Sequence, residues 1–179
     1  MAYKIRMGSY RFSPINNSSD VFRALEYIHT EGHRICRKIL GVYLPIAGNI
    51  GIFCHDDEEY ARLTDIRKTL TDEQMNWNHK YYKLLTPLTF PVLNDIPKTT
   101  YTLLYVRKPE ANEIRVGDVD FYLPPKQYKK LKESVLSGTI HGASMLERQD
   151  LDLVRLNDPS SDVSVFVGSY DLSRIVKPQ

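Results

Sequence analysis

The spacing of apolar positions changes several times along the chain, and each change marks an element. Apolar residues recur at Val21, Leu25, Ile28, Ile35 and Ile39, with Phe22, Cys36 and Leu40 beside them. This is the spacing of a helix buried along one stripe. Ser19 or Asp20 is placed to cap its start and Gly41 to end it. Gly32 stands mid-helix, where it costs about 1 kcal/mol of propensity relative to Ala unless another backbone approaches closely. A short apolar run from Asn49 to Cys54 predicts a buried strand, which leads into a second helix. Asp56 is an N-cap residue with Glu59 three positions on, a capping-box pair. Asp57 and Glu58 add negative charge to the first turn and Arg67 and Lys68 positive charge near the last, both in the sense the helix dipole favours. Tyr60, Leu63, Ile66 and Leu70 form its inner stripe.

Further on the pattern becomes one of strands. Residues 71–79 are polar and predict a loop around Trp77, and Pro87, Pro91 and Pro97 restrict residues 81–97 to extended or edge-strand segments. Thr99 to Arg107 is rich in β-branched and aromatic residues, the clearest strand in the chain. Ile114 to Leu123 is a second strand, and the loop at Lys108–Asn112 predicts that the two form an antiparallel hairpin. Pro124 and Pro125 open a third helix with Tyr128, Leu131, Val135 and Leu136 inward and Gly138 closing it. Residues 138–144 predict a flexible stretch leading into a short helical turn. Residues 151–156 and 163–170 predict a last hairpin around the turn Asn157–Asp162, while residues 3–12 alternate weakly, as an edge strand would. The succession lacks regular βαβ alternation. The expected fold class is therefore α+β: a mostly antiparallel sheet with about three helices packed on it, in a single domain over residues 1–179.

Composition narrows the function classes. With 24 basic and 22 acidic residues among 179, the net charge is +2, too balanced to predict a nucleic-acid partner from electrostatics alone. Two cysteines, Cys36 and Cys54, make no disulfide framework. No apolar core of a signal peptide stands at the start, and no apolar run is long enough to span a bilayer. A cytoplasmic protein with reduced thiols and no membrane association is the expectation.

Three constellations could carry chemistry. His29 and His33 share one helical face, and Cys36 continues it. Two imidazoles and the Cys36 thiolate, with a fourth ligand such as His55 or His79 from elsewhere, could hold Zn²⁺. The spacing resembles half of a metalloprotease motif, but Thr30 stands where that motif places its water-activating glutamate. The plain alternative is a pair of core histidines.

Asp118 and Asp120 alternate with Val119 and Phe121, so both carboxylates leave one face of a strand together with Tyr122. Carboxylates about 6.5–7 Å apart along a strand could share Mg²⁺ bound to phosphate oxygens, with Asp152 as a third acid from a neighbouring strand. The set is a little similar to the acidic centre of nucleotidyltransferases. Arg115-Val116-Gly117 stands where that family has a Gly-Ser helix start, so its phosphate-binding half is missing. The plain alternative is the polar face of a hairpin, paired with Arg107 or Lys108.

Tyrosines and lysines are interleaved at residues 80–83 and at Tyr128, Lys129 and Lys130, flanked by Lys126 and Lys132. Rings beside cations can stack bases and hold phosphates; the plain alternative is an ordinary solvated helix face. A phosphate site at the start of the second helix is disfavoured, because Asp56, Asp57, Glu58 and Glu59 fill it with negative charge. The sequence is read foremost as a small binding or accessory domain, with a nucleic-acid or protein partner and no chemistry of its own. The second reading is an enzyme dependent on a divalent metal, Mg²⁺ or Zn²⁺, and acting on a phosphate-containing substrate. Its acids would be Asp118, Asp120 and Asp152, or its metal ligands His29, His33 and His55.

Overall fold

Asn17, rather than Ser19 or Asp20, caps the first helix in the computed structural model, which describes residues 15–74, 81–148 and 151–169. Its side chain accepts from the backbone N–H of Asp20, and α1 runs Ser18–Leu40. Gly41 ends it with φ 72°, the left-handed conformation that costs glycine nothing. Gly32 is explained by packing: a Cβ there would lie 2.4 Å from Val119 Cγ1, so the bare backbone lets α1 press onto the sheet. In α2 (Asp57–Leu70) Asp56 accepts from the Glu59 N–H at 2.7 Å. The Glu59 carboxylate turns back to the His55 N–H at 2.8 Å, a capping box displaced by one residue. The third helix, α3 (Pro125–Leu136), buries Tyr128, Leu131 and Val135 but leaves Leu136, expected inward, exposed at the helix end, and Gly138 follows with φ 74°.

The strands are β1 (Ala47–Phe53), β2 (Thr71–Gln74), β3 (Tyr81–Phe90), β4 (Thr99–Arg107), β5 (Gly117–Leu123), β6 (Ala143–Arg148), β7 (Leu151–Leu156) and β8 (Val163–Ser169). They form one eight-stranded sheet in the order β2-β3-β4-β1-β5-β8-β7-β6. Pairing is antiparallel except for β1 with β4 and β5 with β8. The α+β architecture expected from the sequence is the one found.

The hairpin expected between Thr99–Arg107 and Ile114–Leu123 does not form. β1 lies between the two, parallel to β4 and antiparallel to β5. Alternation identifies a strand but not its partner, and β1 is uncharged and almost wholly buried, as a central strand must be. The polar stretch after Leu70 begins with β2, not a loop, and the segment expected to enter a helical turn becomes β6. The hairpin of β7 and β8 forms as expected, with Val154 opposite Val167. The edge strand expected at residues 3–12, together with Trp77, His79, Lys80 and Tyr170, lies outside the described residues.

Register assigns the two faces of the sheet. Ile50, Ile52, Leu104, Val119, Phe121, Val165 and Val154 point one way, and the helices pack there. α1 meets Val119 and Phe121 at Gly32. The Arg67 guanidinium of α2 sits 3.3 Å over the Tyr82 ring, and Tyr128 of α3 donates to the Asp152 carbonyl at 2.8 Å. Each fully buried Leu or Ile in this layer contributes about 1.5–3 kcal/mol. The other face carries no helix among the described residues.

Candidate functional site

The helix-free face has a polar centre built from three adjacent strands. Asp118 and Asp120 of β5 point into it, since Val119 and Phe121 between and beyond them face the helices. From β1 come Gly48, Asn49 and Gly51, from β4 Tyr105, and from β3 Tyr81, whose ring lies 5.5 Å from that of Tyr105. Two glycines make room. A Cβ on Gly51 would lie 2.3 Å from Asp118 Oδ1, and one on Gly48 would lie 2.2 Å from the Tyr122 ring. The carboxylate and the phenol thus rest directly on the β1 backbone.

These surroundings perturb Asp120 and the tyrosines around it. Asp120 keeps some contact with solvent, yet burial raises its carboxyl well above the usual range, and the neighbouring Asp118 charge raises it further. A side-chain hydrogen bond from Asn49, itself only 3 % exposed, opposes the shift. Burial also pushes up the phenols of Tyr81, Tyr105 and Tyr122, Tyr105 to about 12, with Asp118 or Asp120 adding to each. The site therefore presents negative potential and, in Asp120, a carboxyl able to keep its proton. Beside it Arg115 donates to Ser164 Oγ at 2.9 Å and is held by Glu113 at 2.6 Å.

The third acid does not join them. Asp152 shares the helix-packed face with Val154, where Lys132 pairs with it at 2.9 Å and Tyr128 donates to it. Arg107 is no partner to the acid pair either. It pairs with Glu110 and Glu113 and lies over the Phe53 ring at 4.5 Å.

The histidines divide between the two ends of β4. His29 Nδ1 is 3.0 Å from the Tyr101 hydroxyl, and His33 Nε2 is 3.0 Å from Thr99 Oγ1. Their rings lie 4.7 Å apart, with His29 stacked on Phe90 and His33 edge-on to Phe121. Burial lowers both, His29 to about 4 and His33 to about 3. His55 bonds to Glu59 and follows Cys54, whose N–H donates to the Arg107 carbonyl at the far end of β4. From Thr99 to Arg107 is about 26 Å of strand, so these three histidines do not meet. Among the described residues no group of three or more His, Cys, Asp or Glu side chains is arranged to hold a metal ion. Cys36 and Cys54 are free and buried, and burial raises both thiols, Cys54 to about 12.

The tyrosine–lysine patch on α3 is only partly assembled. Tyr128 is 5 % exposed, with its ring in the core. Lys129 and Lys130 stay on the solvent side, Lys129 being 4.0 Å from Glu133. Sequence reasoning missed Asn49, Gly48, Gly51, Tyr81 and Tyr105 as parts of the acid site. The one local signal was a glycine-punctuated apolar run with an asparagine inside it.

Comparison with known proteins adds the fold. No family model matches the chain, and no curated protein matches it. A solved protein described as "Structural Genomics, Protein EC4020" superposes with a TM-score of 0.60 at 13 % identity, covering 96 % of this chain and 97 % of its own. At that identity the likeness is one of architecture. Among the described residues no helix is long and apolar enough to cross a membrane.

Proposed function

We propose that the chain is a small binding domain without catalysis of its own, which takes a cationic partner on the helix-free face of its sheet. Asp118 and Asp120 are the anchor. The observation that carries this reading is Asp120: a carboxyl desolvated beside a second carboxyl, among three tyrosine rings, with no ion pair among the described residues. Such a group costs stability where it sits, and a cation brought by a partner would offset that cost. The two acids would repel phosphates, so at this site a protein partner is favoured over a nucleic acid. Two buried free thiols suit a reducing, cytoplasmic setting.

The test is a thermal-shift and titration series with N-acetylated deca-lysine, Mg²⁺ and a single-stranded oligonucleotide. The acetylated deca-lysine is expected to raise the melting temperature of the wild type but not of the Asp118→Asn/Asp120→Asn variant. A response to Mg²⁺ alone that vanishes in this variant would favour the metal-dependent reading, with these two acids as ligands. Oligonucleotide binding that weakens in Lys129→Ala/Lys130→Ala and ignores the aspartates would move the partner to α3.

A further inference from the structure

The β6–β7 end of the helix-free face differs from its acidic centre. Val154 and Leu156 of β7 belong to the core beneath the helices, so Arg155 between them points to the other side. It stands in a row of paired residues, with Ser144 of β6 on one side, Phe166 of β8 on the other and Asp120 of β5 beyond. Ser144 and Asn157 are exposed and Arg155 is partly exposed, so solvent reaches this end of the face.

The Arg155 guanidinium makes no hydrogen bond or ion pair among the described residues. Burial lowers its pKa, and the charge of Arg115 lowers it further, with Glu113 opposing. Arg115 is itself engaged, since it donates to Ser164 Oγ at 2.9 Å and to Glu113 at 2.6 Å. Arg107 and Arg115 are matched by Glu110 and Glu113, which leaves Arg155 as the cation of this cluster without a counter-charge. Ser144 adds a donor. Its oxygen accepts from Asn157 Nδ2 at 2.9 Å, and its own hydroxyl proton remains to be given.

A planar fork of N–H groups beside a free hydroxyl proton suits an oxyanion. The charge count selects which one. A carboxylate matches the single charge of Arg155, whereas a phosphate dianion leaves a negative charge over on a face that already holds Asp118 and Asp120. No helix overhangs this face among the described residues, so nothing there encloses a small molecule. The anion has to arrive on a larger surface.

We infer that Arg155 and Ser144 form a site for a carboxylate, supplied by an aspartate or glutamate side chain of a protein partner. The inference goes beyond the cation-binding reading above and does not depend on Asp118 or Asp120.

The test is an NMR titration at about 0.15 M salt that follows the Arg155 Nε–H resonance. Its probes are deca-glutamate and deca-glutamine, both N-acetylated and C-amidated, and inorganic phosphate. Deca-glutamate is expected to shift the Arg155 resonance and deca-glutamine to leave it in place. Arg155→Gln should weaken deca-glutamate binding about tenfold, the scale of one charge-assisted contact. Ser144→Ala should weaken it about threefold, and Lys129→Ala/Lys130→Ala should leave it unchanged. If Arg155→Gln does not fold, the wild-type resonance and the exposed Ser144→Ala variant decide.

No shift at Arg155, or equal shifts with both peptides, overturns the inference. Binding that survives Arg155→Gln and falls in Lys129→Ala/Lys130→Ala overturns it in favour of α3. Inorganic phosphate binding at Arg155 more tightly than deca-glutamate overturns the choice of a carboxylate. Should acetylated deca-lysine bind through the aspartates while deca-glutamate is silent at Arg155, this inference falls and the cation-binding reading stands. The reverse pair of results removes that reading and supports this inference.

Discussion

Two pairs of ionisable side chains lie in this molecule on opposite faces of one sheet, and they solve the problem of burial differently. His29 and His33 stand one helical turn apart between α1 and the sheet. Each ring has a hydroxyl partner, and aromatic rings pack against both. Asp118 and Asp120 stand two residues apart on β5 on the face without helices, and there burial and mutual repulsion act against Asp120. Both arrangements favour neutral forms. The histidines achieve this within the fold, as a structural pair. For Asp120 the Asn49 side chain offsets only part of the cost of burial, which is the condition under which a polar group is a candidate for a ligand.

The largest effect that would sharpen this contrast is expected at His33, which is wholly buried. His33→Ala opens a cavity and strands the Thr99 hydroxyl, so urea unfolding should show a loss of about 2–5 kcal/mol. A loss below half a kcal/mol would contradict its structural role. The next effect is on pH dependence, where the pairs should run in opposite directions. The folded imidazoles titrate at about 4 and about 3 against 6.5 for an unperturbed histidine, so the unfolded chain takes up protons that the folded chain refuses. Their contribution is whole above about pH 6.5 and falls as the pH drops towards 4, with the His33 share continuing towards 3, at up to about 1.4 kcal/mol per pH unit per group. Asp120 has the reverse sign. Its folded carboxyl is raised above 3.8, so its stability term is complete below that value and is lost as the pH climbs through the folded pKa. Unfolding free energies measured from pH 4 to 8 check both slopes.

Asp120→Asn should then be stabilising at pH 7 and nearly neutral at pH 4, because the amide carries no charge to desolvate. A neutral-pH loss from this substitution would mean that the acid serves the fold after all. The smallest effect belongs to the exposed lysines of α3: Lys129→Ala/Lys130→Ala should leave the unfolding free energy within about 0.5 kcal/mol per substitution.

Much of the fold was legible where the information is local. Asp56 and Glu59 begin α2 as their types and spacing require, Gly41 ends α1, and β4 occupies Thr99–Arg107 as its composition indicates. What could not be read is pairing. Nothing near Val119 in the sequence says that Ile50 lies beside it, and the loop at Lys108–Asn112 suggested a nearer partner. The candidate site failed in the same way. Asp118, Asp120 and Tyr122 share a face by alternation alone. Asn49, Tyr81 and Tyr105 arrive from β1, β3 and β4, so their presence depends on strand order and is invisible to spacing along the chain. Asp152 fails for the same reason, because the register of β7 against β8 turns it to the helices.

The place of β1 also governs how the chain must assemble. The outer strands on each side form by antiparallel pairing between close neighbours, β2 with β3 and β4, and β6 with β7 and β8. β1 is made early but finds its ladders only in β4 and β5, far downstream. Closing those long loops costs entropy before any contact rewards it. During synthesis its apolar edge stays without a mate until β4 has emerged, so the central strand is the one that most needs protection from aggregation in the meantime.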